Sequence, residues 1–197
     1  DELVTHVPQR GDKRKLVELS LKNGLFAKKE KYQSLENVKD KGNRVLKQLQ
    51  GDLQLKELPI HIECFDNSNI QGTNPVASMV CFKMGRPSKK DYRHYKIKTV
   101  VGPDDFASMT EVVGRRYKRL MEEEQPLPKL IVIDGGKGQL SAACDALREL
   151  DLYGEIPIIG IAKRLEEIYY PEDQFALHID KKSESLRLIE KRRDEAH

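Results

Sequence analysis

Two acidic residues interrupt apolar runs in a way that suggests chemistry. Asp134 ends Ile131-Val132-Ile133 and opens into Gly135-Gly136-Lys137-Gly138-Gln139, while Asp66 ends Ile62-Glu63-Cys64-Phe65 and leads into Asn67-Ser68-Asn69. Short apolar runs bounded by turn signals read as buried strands. If the two strands are neighbours, their carboxylates converge. Such a pair at the ends of buried strands is costly unless a cation or a proton neutralises it. Mg²⁺ and Mn²⁺ suit the position, because they prefer oxygen ligands and accept a partly hydrated site.

The glycine loop after Asp134 has a rival reading as a phosphate cradle. A Walker-type loop needs G-x-x-x-x-G-K-[ST], but here Lys137 is followed by Gly138 and Gln139. A dinucleotide loop needs G-x-G-x-x-G, and GGKGQL stops matching after its third glycine. Asp134 at the mouth would also repel a phosphate unless a metal lay between them. On the metal reading, Gly135 and Gly136 leave room for a backbone to approach. The alternative of an ordinary strand-to-helix turn, with Asp134 as helix N-cap, stays open at this level.

Two further candidates sit at helix ends. Asp104 and Asp105 begin the FASMTEVV helix, where N-capping and dipole compensation are the plain roles. His197 closes the last helical pattern and is a surface residue unless the fold brings that helix to the carboxylates. His6, His61, His94 and His178 read as structural.

The elements that must position these residues follow from the changes in period. Residues 1–57 read as a mostly helical extension: a short extended piece, then two or three amphipathic helices with Leu16, Leu19, Leu21, Leu35, Val38, Val45, Leu46 and Leu49 near helical spacing. Gly24 and Gly42 mark the expected breaks. This extension is expected to pack on a second region, 58–197. There, 59–65, 75–83 and 91–100 read as three strands of an antiparallel meander. A helix is expected over 103–124, with Met109, Val112, Val113, Tyr117 and Leu120 on its apolar face. A buried strand (129–134), a helix (137–150), a second buried strand (156–162), an irregular stretch and a serine-capped helix (183–197) complete the chain. A meander followed by βα units predicts an α/β mixed sheet flanked by helices. The order β-β-β-α-β-α-β-α is that of the ribonuclease H-like fold.

Composition narrows the class. Charged residues make up 34% of the 197 and the net charge is +3. The charge is unevenly placed: residues 85–98 hold six Lys/Arg against one Asp, and 115–119 and 190–195 add further basic clusters. Single clusters are usually solvated faces, but three favour a directional basic surface. The three Cys form no C-x-x-C pair, which predicts reduced thiols and a cytoplasmic protein. No apolar run is long enough to span a membrane, and no signal peptide is legible. The chain opens without Met and reads as a piece of a longer protein.

Several blocks together resemble one family. ECFDNSNIQGTNPVASMVCF, KTVVGPDDFASMTEVVGRRY, IVIDGGKGQLSAA, IPIIGIAKRLEEIY and RDEAH are similar to the carboxyl-terminal endonuclease region of UvrC, the bacterial nucleotide-excision-repair nuclease. VPQRGDKRKLVELSLKN resembles the segment just ahead of it. The resemblance covers nearly the whole chain. It implies a ribonuclease H-like fold and the incision 5′ to a lesion in damaged double-stranded DNA. It implies two Asp and a His as active-site residues, here Asp66, Asp134 and His197, with Asp105 of the PDD block as a further acid. Many members read Asp-Ile-Ser-His where this chain reads Asp66-Asn67-Ser68-Asn69. The family's other parts, namely its 3′-incising nuclease, its UvrB-docking segment and its helix-hairpin-helix module, match nothing in this sequence.

The expected activity is therefore metal-dependent phosphodiester hydrolysis. Asp66 and Asp134 would hold Mg²⁺ or Mn²⁺, with His197 as weak ligand or general acid–base group. Lys137 is expected to contact a phosphate near the metal. Arg115, Arg116, Lys163 and Arg164 are expected on the DNA backbone. The expected partners are DNA and a UvrB–DNA complex engaged through other regions. The rivals are a catalytically silent DNA-binding scaffold and a nucleotide-binding α/β protein.

Overall fold

The computed structural model describes residues 7–68, 76–98, 100, 104–162, 167–173, 175–180 and 182–196 of the 197-residue chain. Seven strands among them form one mixed sheet: β1 (His61–Ser68), β2 (Val76–Lys83), β3 (Arg86–Pro87), β4 (Arg93–Lys96), β5 (Leu130–Asp134), β6 (Ile158–Ala162) and β7 (Glu167–Tyr169). The order is β3-β2-β1-β5-β6-β7, with β4 paired to β2 beside β3. The expected meander is present, since β2 runs antiparallel to β1 and β4 antiparallel to β2. The two later strands are parallel to β1, as right-handed crossovers require. β7 closes the sheet antiparallel to β6, in the stretch the sequence leaves irregular. Three residues carry too little periodicity to announce a strand.

The helices are α1 (Gly11–Asp52), α2 (Asp105–Glu122), α3 (Lys137–Glu149) and α4 (Glu184–Ala196). Each sheet face has its own apolar core. Phe65, Met79, Cys81, Ile131 and Ile133 point toward α2 and α3, meeting Met109, Val112, Val113, Tyr117, Leu140 and Leu147. Ile62, Cys64, Val80, Leu130, Val132 and Ile161 point the other way, meeting Leu46, Leu49, Leu186 and Ile189. The period-2 alternation of β1 and β5 puts successive residues into different cores. This layering is ribonuclease H-like.

The amino-terminal region differs from expectation. One helix of 42 residues replaces two or three. Gly24 and Gly42 lie inside it, each tolerated at roughly 1 kcal/mol relative to Ala. Gly42 has a packing reason: a Cβ there would stand 3.4 Å from the Met84 carbonyl oxygen. By compactness the chain divides into two units, Asp1–Lys41 and Gly42–His197. In the first unit Leu16, Leu19, Leu21, Leu25 and Phe26 are exposed. In the second, Leu46, Leu49 and Leu53 are buried in the core beneath α4.

Candidate active site on one sheet face

Asp66 and Asp134 are direct partners in the parallel register of β1 and β5. Parallel neighbours lie about 4.8 Å apart and point to the same face. That face is the one α4 covers, because Asp66 follows the inward alternation of Ile62 and Cys64, and Asp134 that of Leu130 and Val132. Asp66 is 1% exposed and Asp134 3%. Two buried carboxylates side by side repel, and a cation or a shared proton relieves that repulsion. β1 continues to Ser68, so Asp66 lies within the strand rather than at its last residue.

The glycine loop is built for packing more than for clearance. Helix α3 takes Gly136, not Asp134, as its N-cap residue. A Cβ on Gly135 would occupy the place of the Gln139 amide, and one on Gly138 would stand 2.5 Å from the Phe106 ring of α2. Only Gly136 opens onto unfilled space, having nothing within 4 Å of such a Cβ. The expectation that Gly135 leaves room for an approaching backbone is thereby corrected: the chain's own Gln139 fills that room.

Sequence reasoning missed Gly160. The Gly135 amide donates to the Ile161 carbonyl at 3.0 Å, which fastens the loop to β6. A Cβ on Gly160 would come 3.2 Å from the Gly135 carbonyl oxygen and 3.3 Å from Leu140 Cβ. A glycine inside the strand IIGIA was the available signal, since strand glycines mark close backbone approach.

The two acids before α2 have separate positions. Asp104 is the N-cap, its Oδ1 accepting from the Phe106 and Ala107 amides at 3.0 Å each. Asp105 is the first helical residue, half-buried. The Asn67 side-chain amide donates to the Asp105 carbonyl at 2.9 Å and ties this helix start to the residue beside Asp66.

The basic candidates divide. Lys137 begins α3, with its ammonium 5.1 Å from the Tyr169 ring centroid. Arg116 was expected on DNA, but it is half-buried and turned to the fold: its guanidinium donates to Glu63 at 2.5 and 3.2 Å and its side chain is 11% exposed. Arg115 also serves the fold. It donates to the Lys96 carbonyl at 2.9 Å and to Glu111 at 2.8 Å, while Glu111 accepts from the Lys98 amide at 3.0 Å. His197, Lys163 and Arg164 lie outside the described residues.

A third acid, Glu63, sits on β1 facing α2 with 0% exposure. Besides Arg116 it accepts from the Tyr117 hydroxyl at 3.0 Å and lies 3.4 Å from His61. Burial opposes its ionisation, but the bonds from His61 and Arg116 outweigh burial and hold its carboxyl below the usual range. His61, Glu63 and Cys81 are close enough to suggest a metal site. Within this cluster the Arg116 guanidinium already pairs with Glu63, and burial and the Glu63 charge push the Cys81 thiol up to about 12.

Fold and site define a nuclease-type arrangement, a mixed ribonuclease H-like sheet with paired acids on adjacent parallel strands. The sequence profile of the UvrC RNase H endonuclease domain matches residues 50–197, and the chain belongs to that family. It is 64% identical over 191 residues to UvrABC system protein C of Cytophaga hutchinsonii, covering 97% of this chain and 32% of that protein. It is 59% identical over 199 residues to the protein of the same name from Flavobacterium johnsoniae, covering 100% and 33%. The chain thus spans about a third of the length of these relatives. Among solved structures, Ciona intestinalis endonuclease V bound to DNA aligns over 84% of this chain and 69% of that one, with 19% identity and a TM-score of 0.40. That likeness is too distant to bear on function. No described helix is long and apolar enough to cross a membrane.

Proposed function

We propose that this chain is the part of a bacterial excision nuclease that cuts the damaged DNA strand 5′ to a lesion, acting with Mg²⁺ or Mn²⁺ held by Asp66 and Asp134. The observation that carries the reading is the register pairing of these two buried carboxylates on adjacent parallel strands. Their all-oxygen donor set fits a hard divalent cation. A bound ion would polarise the scissile phosphate and lower the pKa of an attacking water. The chain's part is to fix the two carboxylates on rigid strands and to hold the loop after Asp134 by the Gly135–Ile161 hydrogen bond. The Asp105 backbone carbonyl accepts from Asn67, the residue after Asp66, and Asp105 would serve as a further acid. His197 would act as proton carrier or weak ligand. Lys137, Lys163 and Arg164 would bind phosphates; Arg115 and Arg116, being committed to the fold, leave that set.

On this reading the reaction takes place in the cytoplasm, on damaged duplex DNA presented by a UvrB complex that other parts of the protein would engage. Asp134→Asn in the full-length protein, with its partners and Mg²⁺, should reduce 5′ incision by about a hundredfold or more while DNA binding persists. Undiminished incision would overturn the nuclease reading and leave a DNA-binding scaffold.

A further inference from the structure

A single register row crosses the sheet through the paired acids. Asp134 on β5 pairs with Asp66 on β1, Asp66 with Ser78 on β2, and Ser78 with His94 on β4. Directly paired residues share a face, so His94 points to the same side as the two carboxylates. At about 4.8 Å per strand, its Cα lies about 10 Å from that of Asp66 along the row. Two residues further on, Lys96 pairs with Val76 and points to the same face. The intervening residue confirms the alternation: Tyr95, opposite Ala77, packs into the α2–α3 core. His94 and Lys96 are both exposed, whereas Asp66, Asp134 and Ser78 are buried.

β4 is also held from behind. The Arg115 guanidinium bonds the Lys96 carbonyl and lies 5.6 Å from the Tyr95 ring centroid, and Glu111 accepts from both Arg115 and the Lys98 amide. A short edge strand would otherwise fray. The plain role of a lysine on an edge strand is to discourage pairing with another sheet. That role does not require a clamp, nor a face shared with two buried acids.

We propose that His94 and Lys96 form a track for the DNA strand being cut, binding backbone phosphates next to the scissile one. This rests on the nuclease reading and extends it by naming residues that hold the strand against the carboxylates. The track binds phosphate, so it gives salt-dependent contact without base selection. Ser78 lies between track and acids as a small residue, leaving the strand room to pass. Arg115 and Glu111 act as positioning residues for the track.

Both side chains are exposed, so His94→Ala and Lys96→Ala should fold normally. The test uses the full-length protein with its partners and Mg²⁺, in single-turnover incision of lesion-bearing DNA. The double variant should cut intact DNA about tenfold or more slowly, as expected for lost charged hydrogen bonds. Replacing a phosphate beside the scissile one with a neutral methylphosphonate should slow the parent protein similarly and leave the double variant no slower. Lys96→Arg should restore the rate. For the 197-residue chain binding a labelled duplex, Lys96→Ala should flatten the dependence of log affinity on log salt by about 0.9. The track is overturned if the two losses multiply at every neighbouring phosphate, or if rate and salt slope are unchanged. Asp134→Asn run in parallel separates the two proposals. If it cuts normally, the nuclease reading fails, while the salt slope still decides whether β4 touches DNA.

Discussion

Strand β1 carries two buried acids three residues apart, and they are treated in opposite ways. Glu63 faces α2, where Arg116, Tyr117 and His61 surround it with donors. Asp66 faces α4, where its register partner is another acid. The first arrangement is complete within the chain: charge balanced, lone pairs occupied, and α2 fastened to the sheet. The second sets two acids side by side in the register of adjacent parallel strands. Burial alone therefore does not mark a functional acid. What separates the two is whether the neighbouring strand or helix brings a cation or a second carboxylate.

The contrast can be broken from either side. The largest effect is expected on the Asp side. Asp134→Asn should cost about 10³-fold in incision, comparable to removing a group that stabilises charge in the transition state. It should also leave the melting temperature equal or higher, because one of two repelling charges is gone. A fall in melting temperature would show that Asp134 holds the fold as Glu63 does. On the Glu side the signs reverse. Arg116→Met should cost about 3–5 kcal/mol in denaturant unfolding by leaving Glu63 buried without its cation, and Glu63→Gln should cost a comparable amount. Replacing both by apolar residues should recover much of that loss.

A pH titration sharpens the same point. Glu63 ionises below its ordinary value of 4.5 in the folded chain. Its contribution is thus fully present above the unfolded value and is lost as pH falls through the lower folded one. The stability gap between the parent and Glu63→Gln should be constant near neutrality and close in acid, as read by urea midpoints. A gap that widens in acid would contradict the assignment. The smallest effect is expected at Gly160. Alanine there should cost about 1 kcal/mol by pressing on the Gly135 carbonyl, while incision falls by more than that loss of stability explains.

Much of this was legible in the residues. The acids ending LIVID and IECFD announced a pair, and the period change near residue 59 announced where the sheet begins. Their register was not legible, because it depends on which strands become neighbours. Arg116 could have been read correctly. It lies four residues after Val112 and four before Leu120, on the buried stripe of α2, yet RRYKR looks solvated when counted as charge. By sequence alone His94 reads as structural, one histidine among five. Its position becomes informative only when four strands are aligned. The glycines misled in both directions, with Gly24 and Gly42 continuing a helix and Gly160 admitting a loop.

The end of α1 and the turn that follows it set how the protein can be dissected. Leu46, Leu49 and Leu53 lie in the core beneath α4, and the Tyr170 hydroxyl donates to the Leu53 carbonyl at 2.9 Å. At roughly 1.5–3 kcal/mol for each buried leucine, they represent much of the roughly 5–15 kcal/mol that stabilises a domain. A recombinant fragment trimmed to start at Pro59 would keep every strand and both acids, yet leave an oily trough beneath α4. It should aggregate on expression, whereas one starting at Gly42 should yield soluble material.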